Sequence, residues 1–441
     1  MWATEREDAK VSDIVETRYG RLKGTEGEYA RIYKGIPYAQ PPVGSLRFQV
    51  PKQQKQWEGI LSANKFPPMC PQGLQEEGSF YQKEFYDNQE YMPHQSEDCL
   101  YLNIWVPKEG KGDYPVAIWY HGGAYAGGFC SEMEFDGEAY AKRGIILITA
   151  AYRLGLFGFF AHPKLHERDG HSGNYGLLDQ IAVIDWVRDN ISAFGGDKNR
   201  ITIMGQSAGG MSVRTLVSSP LVKGKICGAI IQSGGGYQSP FPVNVMDGRK
   251  LEEACALYLE QKGMVLEELY EKNSQEILQL QGEMWQFVAA QTKCIMPFCP
   301  QVDGYSLLKT CDQILVDDEV LKIPYLIGCN QNDISKEETT YMQNPLHMSN
   351  VAFCEMQKEN KDVYLYYFKR HMPGDDMGAF HSAELWYMFG TLERCWRPLT
   401  EADKELSEEM LDAWSSFIQS GTPGWKRYSE EDPVVKEFDI R

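Results

Sequence analysis

Short, almost wholly apolar segments recur along the chain, and turn-forming or charged residues bound each of them. Continuous apolar runs of this length are typical of strands that are buried on both faces of a sheet. Six segments have this character: Pro115–Tyr120, Ile145–Ala151, Ile201–Gly205, Ala229–Gln232, Pro324–Gly328 and Val363–Phe368. The pattern predicts a strand in each of them.

Between these strands, apolar residues recur at intervals of three and four, which places them on one face of a helix. The first such face contains Leu177, Ile181, Ile184, Val187 and Ile191. The second contains Leu406, Met410, Trp414 and Phe417, and Gly421 is predicted to end that helix. Strands that alternate with helices predict an α/β fold, with a mostly parallel central sheet and helices on both faces.

A chain of 441 residues could form two or three domains. No Pro/Gly/Ser-rich linker, low-complexity run or internal repeat divides it, however. The sequence therefore predicts a single domain over residues 1–441.

Acidic residues outnumber basic residues by 62 to 44, which gives a formal net charge of -18. This charge repels phosphate backbones and anionic lipids, so we expect neither nucleic acid nor membrane as a partner. The first residues are polar and lack the apolar segment of a signal peptide. We therefore expect a cytoplasmic protein, although a chain whose leader had been removed would look the same. Nothing in the sequence indicates the oligomeric state.

The segment Gly205–Gly209 reads G-x-S-x-G and lies between a predicted strand and a predicted helix. In this context the motif forms a sharp turn that exposes the serine, and it is known as the nucleophile elbow. The residues two before and two after the serine must be small, because strand and helix nearly touch there. We predict Ser207 as the nucleophile.

The glycine-rich run His121–Gly128 directly follows another predicted strand. Backbone N–H groups that can approach a carbonyl oxygen closely stabilise the charge that develops there during acyl transfer. We therefore predict an oxyanion hole formed by the N–H groups of Gly122, Gly123 and Ala208. His121 is assigned a structural role.

A serine nucleophile needs a basic histidine, and that histidine needs an acid to orient it. In the order nucleophile, acid, base, three histidines are candidates: His347, His371 and His381. We favour His381, which lies in a compact apolar stretch after a glycine, whereas His371 is in a charged stretch and His347 in a polar one.

The acid is expected just beyond the end of a strand, and Asp333 follows the strand that ends at Gly328. Glu337 and Glu338 are the alternatives, but they fall later, at the start of a predicted helix. We predict Asp333 as the acid.

A second group of titratable residues resembles a metal site: His162, His166, Glu167, Asp169 and His171. The stretch is short and hydrophilic, and we interpret it as a solvated loop. The chemistry proposed above requires neither a metal nor another cofactor.

Long motifs resemble the type-B carboxylesterases, the family of the cholinesterases and the bacterial para-nitrobenzyl esterases. Lys34–Phe48 is similar to the N-terminal signature of that family, and Ser96–Asn103 to its second signature. Ile201–Gly209 resembles the active-serine signature, and Gly173–Asp197 and Gln232–Gly234 match further blocks. The resemblance covers most of the chain. It implies an α/β-hydrolase fold and a triad of serine, acid and histidine, at Ser207, Asp333 and His381.

The chain departs from the family pattern at several positions. Asp333 stands where glutamate is more frequent, and Gln206 replaces the usual glutamate beside the nucleophile. Ala124 replaces the third of three successive glycines, which weakens the third oxyanion donor. The interval from Asp333 to His381 is short for the family, which implies a reduced cap and an open gorge.

Two structural pairs are also implied by the resemblance. Relatives have a disulfide at the positions of Cys70 and Cys99, and in a reducing cytoplasm this pair could equally remain as thiols. Arg47 and Glu97 resemble a structural ion pair of the family. The remaining cysteines are read as buried free thiols.

The predicted function is hydrolysis of a small-molecule carboxylic ester through an acyl-enzyme. Aromatic esters of the hydroxycinnamate type are the substrates we favour. Plausible walls of the pocket are aromatic: Tyr125, Phe129, Tyr237 and Trp386. Two alternatives stay open, a non-catalytic binding protein like those known in the cholinesterase family, and a hydrolase of another acyl bond such as an amide, a carbonate or a toxin ester.

Overall fold

A ten-stranded sheet forms the centre of the computed structural model, which describes residues 14–110, 112–241, 246–335, 343–357 and 362–440. In chain order the strands are β1 (Ile14–Thr17), β2 (Gly20–Lys23), β3 (Thr25–Glu26), β4 (Ala30–Pro37), β5 (Ile60–Ser62), β6 (Tyr101–Pro107), β7 (Tyr114–Tyr120), β8 (Ile146–Ala150), β9 (Gly196–Gln206), β10 (Gly228–Gln232), β11 (Tyr325–Asn330), β12 (Val363–Phe368) and β13 (Val435–Phe438). The order in the large sheet is β13-β12-β11-β10-β9-β7-β8-β6-β4-β3, and β1, β2 and β5 form a small second sheet.

The large sheet is mixed but mostly parallel. Neighbouring strands run parallel from β13 through to β8, whereas β6, β4 and β3 join antiparallel at the other edge. All six predicted strands are present. The largest difference is in β9, which begins at Gly196 rather than Ile201. Residues 197–200 are charged or polar and partly exposed, so the apolar pattern did not reveal them as part of the strand.

The helices cover both faces of this sheet. They are α1 (Phe80–Phe85), α2 (Glu138–Lys142), α3 (Gly155–Phe159), α4 (Pro163–Asp169), α5 (Tyr175–Asn190), α6 (Ala208–Leu216), α7 (Gly248–Gln261), α8 (Glu268–Glu271), α9 (Ser274–Thr292), α10 (Cys311–Val316), α11 (Pro345–Met356), α12 (Leu385–Met388) and α13 (Glu401–Ser420). The sequence predicted α5 and α13, and Gly421 ends α13 in the left-handed conformation, at φ 78°.

The two faces of β7 show why its sequence does not alternate. Ile118 belongs to one hydrophobic core together with Leu177 of α5. Trp119, the next residue, points into a second core together with Trp414 of α13. Every residue of β7 is buried, so a run of apolar residues without period is what a strand between two helical layers requires.

Two local interpretations from the sequence were wrong. The stretch with His162, His166 and His171 is not an irregular solvated loop, because residues 163–169 form α4 and His162 caps its first turn. His162 and His171 are buried. His347, assigned to a polar loop, is likewise buried in α11.

The predicted ion pair is confirmed. The Arg47 guanidinium donates to both carboxylate oxygens of Glu97, at 2.6 and 2.7 Å, and both side chains are buried. All eleven cysteines lie in the described residues and are free thiols, Cys70 and Cys99 among them. None of the described helices combines the length and the apolar character that crossing a membrane demands.

Candidate active site

The sharpest turn of the chain joins β9 to α6, with Ser207 between them. Ser207 has φ 57° and ψ -125°, a conformation that non-glycine residues rarely adopt. Its backbone N–H donates to the Gln232 carbonyl of β10 at 2.9 Å, which ties the turn to the neighbouring strand. The motif thus forms the strained strand–turn–helix that the sequence predicted.

Two glycines make this turn possible. A Cβ on Gly209 would lie 1.9 Å from the carbonyl oxygen of Tyr120, and a Cβ on Gly205 would lie 2.5 Å from the carbonyl carbon of Gly209. Real Cβ atoms do not approach other atoms this closely, so a side chain at either position would move the backbone that presents Ser207.

The glycine-rich loop after β7 lies against the same turn. A Cβ on Gly122 would lie 3.2 Å from the Cβ of Ser207, which shows how near this backbone comes to the serine of the elbow. In the described part of the chain, the N–H groups of Gly122, Gly123, Ala124 and Ala208 donate to no protein acceptor. Free N–H groups of this kind, beside a nucleophile, can bind an oxyanion.

His381 and Asp333 lie side by side at the carboxyl end of the parallel strands. The distance from His381 Nδ1 to Asp333 Oδ1 is 2.6 Å, and the side chain of Asp333 is fully buried. Phe380 is attached to the end of β11, because the Asn330 side chain donates to its carbonyl at 2.8 Å. The loop that carries the histidine is therefore held against the strand that precedes the acid.

The second carboxylate oxygen of Asp333 accepts two more hydrogen bonds. The donors are the Ser233 hydroxyl, at 2.9 Å, and the backbone N–H of Asn330, at 2.6 Å. Such bonds stabilise the ionised carboxylate and fix its orientation. Asp333 is thereby set to accept the Nδ1–H of His381.

Burial lowers the pKa of His381, but the hydrogen bond and charge of Asp333 and the charge of Glu384 outweigh it. The net effect raises the pKa of this imidazole above 6.5. An acid that stabilises the imidazolium in this way favours transfer of a proton from a serine to the histidine.

A second buried carboxyl, Glu384, lies behind this pair. It accepts hydrogen bonds from the side chains of Asn330, at 2.6 Å, and Gln232, at 3.4 Å. Burial and the nearby charge of Asp333 raise the pKa of Glu384 to about 7. Its charge state therefore changes near neutral pH, close to the imidazole.

The other ring nitrogen of His381 faces the elbow. Its Nε2 lies 3.4 Å from the side-chain nitrogen of Gln206. In the described residues Ser207 and His381 form no hydrogen bond with each other, although both line one cavity. Hydrogen bonds of this kind commonly tighten only when substrate binds.

The cavity at the elbow has a volume of about 580 Å³. It is lined by residues of the elbow, the glycine-rich loop, α1 and the histidine loop: Gly73, Leu74, Gln75, Tyr81, Phe85, Tyr86, Gly122, Gly123, Ala124, Ala126, Gly127, Gly128, Glu132, Glu134, Phe135, Gln206, Ser207, Gln281, His381, Ser382 and Leu385. A cavity of this size accommodates a small organic molecule.

Comparison with known proteins identifies the family to which this chain belongs. The Carboxylesterase family model matches residues 11–353 and 346–438. The chain belongs to this carboxylesterase family. Para-nitrobenzyl esterase of Bacillus subtilis (strain 168) is 31% identical over 472 residues, which cover 95% of this carboxylesterase and 93% of that protein. Fumonisin B1 esterase of Sphingopyxis macrogoltabida is 36% identical, over 75% of this chain and 58% of that protein.

Solved structures agree with the sequence comparison. A PNB esterase superimposes with a TM-score of 0.82 at 31% identity, over 97% of this chain and 96% of that chain. A second PNB esterase, described as thermophilic, gives a TM-score of 0.83 at 30% identity, with the same coverage. The carboxylesterase therefore has the α/β-hydrolase fold and is a serine carboxylic-ester hydrolase.

The structure brings together Ser207, His381, Gly122 and Gly123 at one cavity, with Asp333 directly behind the histidine. The alternative histidines lie elsewhere, since His371 is exposed and His347 is buried in α11. The alternative acids Glu337 and Glu338 lie outside the described residues.

The four aromatic residues named from the sequence occupy other places. Tyr125 is buried and shares a hydrogen bond with Ser212, and Trp386 is buried and donates to Glu84 at 3.0 Å. Neither they nor Tyr237 line the cavity of the carboxylesterase. Phe129 lines an adjoining pocket of about 370 Å³, which shares Gly127, Gly128 and Tyr86 with the cavity.

Sequence reasoning missed the aromatic residues that do line the cavity. Tyr81, Phe85 and Tyr86 come from α1 and its end, and Phe135 follows the glycine-rich loop. The aromatic density of residues 80–86 was the available signal. It did not suffice, because nothing local indicates that this short helix packs beside His381.

Proposed function

We propose that this carboxylesterase transfers the acyl group of its substrate to Ser207, with His381 as the base and Asp333 as the acid that orients it. The observation that carries the proposal is the 2.6 Å contact between His381 and Asp333 beside the strained serine of the elbow. Both Ser207 and His381 line the same cavity, which a substrate can enter.

In the first step, Ser207 Oγ attacks the ester carbonyl while His381 Nε2 accepts the hydroxyl proton. The imidazolium then donates this proton to the leaving alcohol, and an acyl-enzyme remains. In the second step, His381 accepts a proton from water, which attacks the acyl-enzyme and releases the acid. Asp333 keeps the proton of Nδ1 in place throughout and stabilises the imidazolium.

The negative oxygen of each tetrahedral intermediate requires hydrogen-bond donors. The N–H groups of Gly122, Gly123 and Ala208 are the donors we propose, because they donate to no described protein acceptor and lie beside Ser207. Removing one such donor typically costs about 3 kcal/mol of transition-state stabilisation.

Small to medium esters with an aromatic group are the substrates we propose. The cavity of about 580 Å³ has aromatic side chains on its wall, namely Tyr81, Phe85, Tyr86 and Phe135. Aromatic rings pack against one another in offset or edge-to-face geometry, which adds to the energy of burial. Hydroxycinnamate esters fit this description.

The test is hydrolysis of para-nitrophenyl esters, from acetate to decanoate, and of a ferulate ester by wild type, Ser207→Ala, His381→Ala and His371→Ala. We expect turnover by wild type and His371→Ala, and a loss of about a thousandfold or more in the other two variants. Normal turnover by Ser207→Ala would refute the mechanism. Absence of turnover by folded wild type on the whole panel would favour a non-catalytic binding protein or another acyl bond.

A further inference from the structure

Tyr125 is an aromatic residue of the glycine-rich loop that the proposed mechanism does not use. Its side chain is completely buried, with an exposed fraction of 0%, and lies in the hydrophobic core rather than in the cavity wall. There its ring packs edge-to-face against Phe159 of α3, with 5.2 Å between the ring centroids. The loop is therefore fixed in the core at a residue next to the N–H groups that we propose as oxyanion donors.

The backbone around Tyr125 is strained. Gly123, Ala124 and Tyr125 follow one another with φ angles of 99°, 55° and 57°. A positive φ is uncommon for any residue with a side chain, and it is an outlier for a bulky one such as tyrosine. The carbonyl of Gly123 accepts the N–H groups of Ala126 and Gly127, at 3.0 and 2.8 Å, which closes a tight turn. Such a conformation persists only where the surrounding structure imposes it.

Two hydrogen bonds of Tyr125 hold this turn in place. Its carbonyl accepts the backbone N–H of Gly155, the first residue of α3, at 2.7 Å. Its hydroxyl is hydrogen-bonded to the hydroxyl of Ser212, on α6, at 3.3 Å. The first bond fixes the turn against the core, and the second joins the glycine-rich loop to the helix that follows the elbow.

Ser212 in turn contacts the residue that follows Ser207. Its hydroxyl donates to the carbonyl of Ala208 at 2.8 Å and accepts a hydrogen bond from the side chain of Gln180 at 2.9 Å. Ala208 supplies the third N–H group of the proposed oxyanion hole. Two successive hydrogen bonds, from Tyr125 through Ser212 to Ala208, thus join the two backbone segments that supply the donors.

Packing alone does not require the hydroxyl of Tyr125. Ser212 is buried, and it already has a donor in Gln180 and an acceptor in Ala208. A phenylalanine ring would fill nearly the same space without bringing a polar group into the core. A buried hydroxyl costs free energy unless it is hydrogen-bonded. The hydroxyl of Tyr125 therefore forms a directional contact between loop and helix that apolar packing does not supply.

We propose that Tyr125 is a positioning residue for the oxyanion hole, and that its hydrogen bond to Ser212 sets the spacing between the donors of the glycine-rich loop and the N–H of Ala208. Donors stabilise an oxyanion when they are preorganised at the place this oxygen occupies in the transition state. A small displacement of one segment relative to the other therefore raises the barrier and leaves substrate binding nearly unchanged. The inference rests on the proposed function, because it concerns the donors of the same site.

The first test removes one hydroxyl. Tyr125→Phe keeps the ring, and on para-nitrophenyl acetate we expect kcat and kcat/KM to fall together, by about tenfold, with KM unchanged. Tyr325→Phe is the matched control, because Tyr325 is equally buried and its hydroxyl donates to the carbonyl of Leu321 at 2.6 Å, but it lies at the amino end of β11. We expect wild-type kinetics there. Wild-type kcat in Tyr125→Phe, or an equal loss in Tyr325→Phe, would overturn the proposal.

A transition-state analogue separates a positioning role from a merely structural one. Ser207 Oγ forms a bond to the ketone carbon of trifluoroacetophenone, its proton passes to His381, and the carbonyl oxygen becomes the anion that the donors bind. We expect Tyr125→Phe to weaken inhibition by this ketone by the same factor as kcat/KM, and to leave inhibition by the corresponding alcohol, which forms no anion, unchanged. Unchanged inhibition by the ketone, or equal weakening of both inhibitors, would contradict a role at the oxyanion.

Ser212→Ala removes the partner and leaves the ring of Tyr125 in place. Because both replacements break one contact, we expect the double variant to lose no more kcat than Ser212→Ala alone. A loss equal to the product of the two single losses would refute the coupling. If Tyr125→Phe does not fold, as judged by thermal unfolding, Ser212→Ala decides the question, since wild-type kcat in that variant would overturn the proposal.

Failure of this inference and failure of the proposed function have different signatures in the same assay. If Ser207→Ala is inactive and Tyr125→Phe has wild-type kinetics, the acyl-enzyme mechanism stands and Tyr125 is a core residue only. If Ser207→Ala keeps its turnover, the mechanism is refuted, and the positioning role of Tyr125 with it.

Discussion

At the scale of single residues, the proposed mechanism depends on the hydrogen bonds that hold the carboxylate of Asp333 in place. Its carboxylate accepts His381 on one oxygen and two further donors on the other. An acid fixed in this way selects the histidine tautomer with a free lone pair on Nε2, which is the atom that faces the elbow. We therefore expect the residues that hydrogen-bond to Asp333 to affect turnover, and each of them can be replaced separately.

Replacement of the acid tests the tautomer directly. We expect Asp333→Asn to lower kcat by about 10⁴, because an amide can donate to Nδ1 and stabilise the wrong tautomer of His381. Steady-state kinetics on a para-nitrophenyl ester measures the effect. Glu337→Gln, at an alternative acid position, is the control, and an equal loss there would reassign the acid.

Glu384 offers a test of the electrostatics. Its charge raises the pKa of His381, and the base must be neutral to accept a proton, so kcat/KM rises with pH through the pKa of the imidazole. Glu384→Gln removes that charge. We therefore expect the acidic limb of the pH profile to move to lower pH, and a limb that stays in place would contradict this electrostatic role of Glu384.

The same variant also has a stability signature. The pKa of Glu384 in the folded protein, about 7, lies above that of an unfolded glutamate, so the native state loses stability as pH rises from about 4.5 to about 7. Glutamine does not titrate. The melting temperature of Glu384→Gln relative to wild type should rise by roughly 2–5 °C between pH 5 and pH 8. A difference independent of pH would refute this charge assignment.

At the scale of elements, the active site depends on how closely β9, α6 and β7 approach. Gly209 is the position at which these elements leave no room for a side chain, since a Cβ there would lie 1.9 Å from the backbone of β7. The small residues of the G-x-S-x-G motif therefore allow these elements to approach each other and to present Ser207.

We expect Gly209→Ala to destabilise the fold by several kcal/mol, on the order of 3 or more, or to abolish turnover by moving Ser207. Gly282→Ala is the matched control. Gly282 lies within α9 and has open space around its Cβ position, so alanine should stabilise that helix by roughly 0.5–1 kcal/mol. Both variants are compared with wild type by thermal unfolding and by ester turnover. Wild-type stability and turnover of Gly209→Ala would contradict the predicted steric clash at this position.

Elements with a strong apolar signal could be predicted from the sequence, and those without one could not. β7 and β12 are buried throughout, so their apolar runs were sufficient. β4 mixes polar and apolar residues and pairs antiparallel with β6 at the edge of the sheet, where burial is less uniform. α4 was missed because its hydrophilic residues conceal a single buried leucine, Leu165.

The active site likewise contains parts that could be predicted from the sequence and parts that could not. Ser207 and the glycine-rich loop lie in local motifs, so sequence alone indicated them. The residues of the cavity wall do not lie in local motifs, because α1 and Glu134 reach the cavity only through the tertiary fold. Tyr125 lies within the glycine-rich run His121–Gly128 but is buried in the core, which shows why proximity along the chain is a poor guide to a pocket.

At the scale of the whole molecule, one sheet contains strands from both ends of the chain, from β3 at Thr25–Glu26 to β13 at Val435–Phe438. This connectivity favours the single domain that the sequence predicts, and that domain assignment stays a prediction.

The formal net charge of -18 also belongs to this scale. Because like charges repel within the folded protein and salt screens them, we expect the melting temperature at pH 8 to rise between about 10 mM and 200 mM sodium chloride. Differential scanning fluorimetry in a salt series measures this. A constant or falling melting temperature would show that local ion pairs such as Arg47–Glu97 outweigh the general repulsion.

The central claim is that Ser207 becomes acylated, and the most direct measurement is mass spectrometry of the enzyme quenched during turnover of para-nitrophenyl acetate. We expect an added acetyl group on the peptide that contains Ser207, and no acetyl group there in Ser207→Ala. Turnover with the acetyl group on another residue, or unimpaired turnover in Ser207→Ala, would contradict it.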